Sequence, residues 1–193
     1  MKSGVTLLRA ADHRRMPWKN GGGETREIAA HPPGADTASF DWRISMARVE
    51  ADGPFSVFPG VERILAILDG AALDLAIEGE RPQRLTPRSP PYAFPADAPT
   101  VARLPNGPIV DLNVMVRRDR FSARVERLSG TFDLPACPHT VVILALGPAS
   151  IETAAERVAL DRDDALLVAR TAVRIDGAAG FFRLEIGAVA GAK

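Results

Sequence analysis

Polar and apolar positions alternate with a period of two along most of this chain. The clearest run is Phe40-Asp41-Trp42-Arg43-Ile44-Ser45-Met46-Ala47-Arg48-Val49, with Phe40, Trp42, Ile44 and Met46 on one face and Asp41, Arg43, Ser45 and Ala47 on the other. Such alternation predicts a strand, because successive side chains of an extended backbone point to opposite sides. Val5 to Leu8 predicts a first short strand, Arg26 to Ala30 another, and Phe55 to Phe58 a third after an Asp52-Gly53-Pro54 turn. Val61 to Asp69, closed by Asp69-Gly70 and followed by Ala71 to Ile77, predicts a hairpin. Leu85 to Pro95 is interrupted by prolines, which suits edge strands because proline cannot donate to a ladder. Thr100 to Leu104 and Ile109 to Val116, around Pro105-Asn106-Gly107-Pro108, predict a second hairpin.

The second half repeats this theme faintly. Thr140 to Thr153 mirrors the strand, turn and return at Arg63 to Ile77; Leu160 to Val168 mirrors Leu85 to Phe94; Val173 to Ile186, with an Asp176-Gly177 turn, mirrors Val101 to Val116. Many short strands without long helices predict an all-β fold of two small antiparallel barrel or jelly-roll halves. The expected division is 1–120 and 121–193, the halves packed as one unit with a ligand-sized mouth.

One stretch resists the strand pattern: Met16-Pro17-Trp18-Lys19-Asn20-Gly21-Gly22-Gly23-Glu24-Thr25-Arg26-Glu27. Three glycines in a row lose much backbone entropy on folding, and close approach of a ligand or a strand is the usual compensation. Two readings stand. The loop offers backbone N–H groups, the Lys19 cation and the Asn20 carboxamide to an anion, or it is a glycine-rich turn at a sheet edge whose Trp18 caps the core. It lacks the Gly-Lys-Ser/Thr ending of a phosphate loop.

Charge narrows the partners. Lys plus Arg and Asp plus Glu number 24 each in 193 residues, which removes the electrostatic case for nucleic acid or an anionic membrane. A small molecule or a protein, a second copy of this chain included, is the expected partner. Cys137 is the only cysteine, so an internal disulfide and a cysteine zinc cluster are excluded, and a reducing, cytoplasmic home is expected. No apolar run reaches signal-peptide or membrane-spanning length.

Few residues carry recognisable chemistry. His13, His31 and His139 are far apart with no His-x-His pair and read as surface or turn residues, so neither a metal site nor a cofactor is expected. No nucleophile elbow is present, Cys137 reads as inert, and Asp163-Asp164 read as a solvated turn. What remains is polar residues inside apolar strands: Arg43 and Ser45 on one face, Arg63, and Asn113 within Val110 to Val116. Arginine forks and an asparagine suit a small organic acid. Alternatively, Arg43 and Arg63 pair with Asp41, Glu62 or Asp111 as structural ion pairs.

Several blocks in order resemble the HutD/Ves family: Met16 to Gly23 with Thr25 and Glu27, Phe40 to Ser45, Asp52 to Ser56, Phe58-Pro59-Gly60, Arg63, Gly107-Pro108 and Asp111 to Met115. The likeness runs from about Leu7 to Arg118 and continues weakly beyond. It implies a cupin-type fold with two barrels in one chain, a bicupin. It also implies a bacterial cytoplasmic protein, linked to histidine utilisation in the HutD branch and to cold or stress response in the Ves branch.

Three functions follow as expectations. The first is metal-independent binding of a small carboxylate such as urocanate or formylglutamate, in a regulatory or accessory role. In it Trp18 walls the pocket, Lys19 and Arg63 neutralise the acid, and Asn20, Arg43, Ser45 and Asn113 orient it. The second is a metal-free isomerase or hydrolase with Glu27 or His13 as base. The third is a stress-related interaction protein without a small ligand.

Overall fold

In the computed structural model, which describes residues 4–154 and 156–189, the period-two segments become antiparallel strands. One 3-10 turn, Ala10–Asp12, is the sole helical element among the described residues. The strands fall into two compact units, one of Arg14–Ser122 with Val189 and one of the chain up to His13 with Ala123–Ala188. The first strand, β1 (Gly4–Leu8), is hydrogen-bonded within the latter.

The Arg14–Ser122 unit holds β2 (Arg14–Pro17), β3 (Gly23–His31), β4 (Trp42–Val49), β5 (Gly53–Pro54), β6 (Val61–Asp69), β7 (Leu73–Ile77), β8 (Gln83–Leu85), β9 (Tyr92–Pro95), β10 (Thr100–Arg103) and β11 (Ile109–Arg117). They form a six-stranded sheet in the order β2-β3-β4-β11-β6-β9 and a four-stranded sheet in the order β5-β10-β7-β8. The two meet in one core, with Ala47, Leu65 and Ile67 from the first and Leu73, Leu75 and Ile77 from the second. Removing each of these leucine and isoleucine side chains from water contributes roughly 1.5–3 kcal/mol. Strands β8 and β9, which flank the proline-rich Thr86 to Pro91 segment, sit at sheet edges, and β9 ends in Pro95, which has no donor to offer a ladder.

Both expected hairpins are instead corners. Strands β6 and β7 lie in different sheets, and so do β10 and β11. The Asp69-Gly70 and Pro105 to Pro108 turns carry the chain from one sheet to the other, and the corners touch. A Cβ at Gly70 would stand 2.7 Å from the Pro108 carbonyl oxygen. Turn chemistry fixes a chain reversal, while burial of both apolar faces decides which sheet receives the next strand. Two further expectations need correction. Gly53–Pro54 is a short strand against β10, and Phe55 to Phe58 is an irregular strap.

The other unit adds β12 (Phe121–Leu134), β13 (Thr140–Ala145), β14 (Ala149–Glu152), β15 (Arg157–Leu160), β16 (Ala165–Ala169) and β17 (Val173–Ala188). Its sheet runs β1-β16-β13-β17-β14-β15, with β12 on β17. The pairing order of the first unit recurs. β6 pairs β9 and β11 while β7 pairs β8 and β10; correspondingly β13 pairs β16 and one half of β17, and β14 pairs β15 and the other half. Asp176-Gly177 is therefore no turn and lies inside the continuous β17. Asp164 is buried, not solvated: it accepts from Arg9 Nη1 at 2.6 Å, the Ala10 N–H at 2.8 Å and the Asp161 N–H at 3.0 Å. His13 is buried too, and His31 lies in β3 stacked on Trp42, so only exposed His139 fits the surface reading.

Candidate functional site

The register of the six-stranded sheet builds a polar face in rows. Across β3, β4, β11 and β6, Thr25, Ala47, Asp111 and Ile67 stand side by side, then Glu27, Ser45, Asn113 and Leu65. The next row is Arg43, Met115 and Arg63, with Phe94 of β9 beyond. Alternation puts Trp42, Ile44 and Met46 on the opposite side, and they are buried as well. A strand buried on both faces can hold charged groups only where they meet partners or a cavity. Here they do both.

A cavity of about 470 Å³ opens on this face, within the roughly 300–1,000 Å³ typical of small-molecule sites. All seven residues singled out from the sequence, Trp18, Lys19, Asn20, Arg43, Ser45, Arg63 and Asn113, line it. The structure therefore brings together residues up to 95 positions apart in the chain, from Trp18 to Asn113.

The two arginines differ in kind. Arg43 donates from Nε to Glu27 Oε2 at 2.6 Å, with both side chains largely buried, and its Nη1 reaches Ser45 Oγ at 3.4 Å. Glu27 is thus its counter-ion, not Asp41, Glu62 or Asp111; Asp41 pairs with Arg120 instead. Arg63 forms no ion pair among the described residues. It donates from Nη2 to the Ser56 carbonyl at 3.2 Å, lies 4.8 Å over the Phe55 ring and close to Phe58 and Phe94, and leaves a buried Nε–H without a partner. Burial pulls its guanidinium down to about 10; the nearby Asp111 opposes that shift and Arg43 adds to it.

Asp111, 1% exposed, is the residue that sequence reasoning missed as part of the site. It accepts from Asn113 Nδ2 at 2.5 Å and from the Ala47 backbone, and feels Arg63 through space. Burial nevertheless outweighs these three and pushes its carboxyl up to about 7. A signal was available, since Asp111 and Asn113 share parity on one strand. The desolvation that sets its chemistry was not visible there.

The glycine loop joins β2 to β3 as a turn at the sheet edge. Trp18 packs on the core beneath, with its indole N–H on Thr25 Oγ1 at 2.8 Å. The anion-cradle expectation is corrected at three positions, because the N–H groups of Trp18, Gly21 and Gly22 bond to Gly23 O, Trp18 O and Asn20 Oδ1 inside the loop. The exposed Lys19 and the Asn20 amide group remain at the cavity rim. His13 does not line the cavity, and Glu27 is engaged by Arg43. Among the described residues no group of three or more His, Cys, Asp or Glu could hold a metal ion. Nor is any helix there long and apolar enough to cross a membrane.

Comparisons with known proteins agree with one another. The HutD family model matches residues 10–182. A Pseudomonas putida protein called the 21.2 kDa protein in the hutC 3' region is 38% identical over 143 residues, 74% of this chain and 74% of that protein. Protein Ves of Citrobacter koseri is 43% identical over 126 residues, 63% of this chain and 64% of that protein. The structure of HutD from Pseudomonas fluorescens SBW25, from a formate condition, superposes with a TM-score of 0.83 at 29% identity, covering 96% of this chain and 100% of that one.

Proposed function

The chain belongs to the HutD/Ves family, and from that premise we propose that it is a metal-independent binding protein for a small carboxylate of the urocanate or formylglutamate class. Its role in this reading is regulatory or accessory to histidine utilisation, by analogy with the relative named for the hutC region. The observation that carries the proposal is Arg63: a buried cation walled by phenylalanines, without a counter-ion in contact, its Nε–H unused, facing a cavity it shares with Asn113 and Ser45. Buried cations are normally paired, and a carboxylate completes this one. We also read the two units as the two barrels of a bicupin, on the support of their recurring strand-pairing order.

Isothermal titration of metal-stripped protein with urocanate, N-formylglutamate, histidine and formate tests the binding. One of the three carboxylates other than histidine should bind, and Arg63→Met should weaken it by ~2–5 kcal/mol, the loss for one partner of a desolvated charge pair. A thermal shift of roughly 5–10 °C at a hundredfold excess over Kd should accompany it. Binding that requires added metal, or that Arg63→Met leaves intact, overturns the proposal. The rival supported by an observation is a metal-free enzyme, since a buried carboxyl titrating near neutrality suits general acid–base work. Turnover that survives chelator and vanishes in Asp111→Asn would favour it.

A further inference from the structure

The charges buried around the cavity balance as they stand. Arg43 is closed on Glu27 at 2.6 Å. Arg63 is left with Asp111, which lies across two register rows on the neighbouring strand and makes no ion-pair contact with it. A carboxylate group docking on Arg63 brings a second anion to a site holding one uncommitted buried cation, while the second carboxylate of a dicarboxylate such as N-formylglutamate stays hydrated at the open rim beside the exposed Lys19. Ions in a desolvated cavity are tolerated only when compensated, so one of the two carboxylates must become neutral. The ligand in contact with the guanidinium keeps its charge; Asp111, held by Asn113 and the Ala47 backbone but not by a cation, is the group free to take the proton.

We infer that the cavity takes up its carboxylate together with one proton from solvent, which goes to Asp111, so that Asp111 sets the pH dependence of binding. This rests on the carboxylate-binding reading above and deepens it. The other charged groups lining the cavity are Arg63 on β6, Arg43 on β4, which is paired with Glu27 of β3, Lys19 of the loop after β2, and Asp52 before β5. Burial already pushes Asp111 to about 7 in the empty cavity, so at neutral pH the proton costs little to add. Loss of that proton at higher pH should eject the ligand.

The test is titration with N-formylglutamate and with formate, neither of which titrates between pH 6 and 9, in paired buffers of different ionisation enthalpy. Wild-type protein should bind with little proton uptake at pH 6 and with uptake approaching one proton at pH 8.5, and Kd should rise up to about tenfold per pH unit above 7. Asp111→Asn, which keeps an oxygen for Asn113, should bind with a flat profile and more tightly than wild type at pH 8.5. Binding with no proton uptake and a flat wild-type profile overturns the inference and leaves the binding reading standing. Proton uptake that persists in Asp111→Asn also overturns it, by assigning the proton elsewhere. If neither probe binds at any pH, both readings fall.

Discussion

Gly23 shows how tightly the loop that closes the cavity is held. A Cβ there would stand 2.1 Å from the Arg48 carbonyl oxygen, and backbone cannot yield that distance without breaking the β3–β4 ladder. Its neighbour Gly22 would place a Cβ in ordinary contact with the Asn20 side chain, 3.4 Å away. Gly23→Ala should therefore cost more than about 2 kcal/mol by urea denaturation, and Gly22→Ala within about 1 kcal/mol. Equal costs would contradict the close approach. The triplet was legible as a turn or close approach from composition alone, but which glycine faces a backbone depends on a strand 25 residues later. Asn113 was legible as an oddity in an apolar strand. Arg63 was legible as a polar residue, though not as a cation left without an ionic partner.

At the scale of elements, alternation located the strands more reliably than it located their neighbours. Strand β6 was visible residue for residue, yet its partners are β11 and β9 and not the adjacent β7, because chain reversals at Gly70 and Pro108 turn corners between sheets. The same limit hid the counter-ion of Arg43, since Glu27 reaches it only through the β3–β4 register and the irregularity between Glu27 and Ala29. Glu27→Gln should destabilise the protein by ~3–5 kcal/mol, the penalty for leaving a buried cation uncompensated. Replacing both partners, Glu27→Leu with Arg43→Met, should recover most of that loss in a double-mutant cycle. Additive losses would mean the pair is not coupled.

For the molecule as a whole, two buried carboxyls pull stability in opposite directions with pH. Burial alone would raise Asp164, but hydrogen bonds from Ala10, Asp161 and Arg9 together hold it below the usual range. It stabilises the fold above about pH 4, and that contribution is lost as pH falls through its folded-state pKa. Asp111 is raised instead, so its stability is fully present below about pH 4 and is lost as pH rises through about 7. Urea midpoints followed from pH 3 to 9 should therefore decline on both sides. Asp111→Asn should remove much of the decline between about pH 4 and 7, on the order of 2–4 kcal/mol, while Asp164→Asn flattens the acid side. A decline from about pH 4 to 7 that is unchanged in Asp111→Asn would show that other groups set it.

The sequence by itself determined the all-β class, the positions of most strands, the edge placement of the proline-rich segments, the family resemblance and seven residues that share one cavity. These follow from local rules: strand period, proline's missing donor and turn propensity act within a few residues. Only the tertiary structure decided which strands pair, that the two hairpin-like turns are sheet corners, that Glu27 neutralises Arg43, and that Asp111 shares the cavity with Arg63. Those outcomes depend on desolvation and on contacts between residues far apart in the chain. Burial is a property of the assembled core, and no single segment carries it.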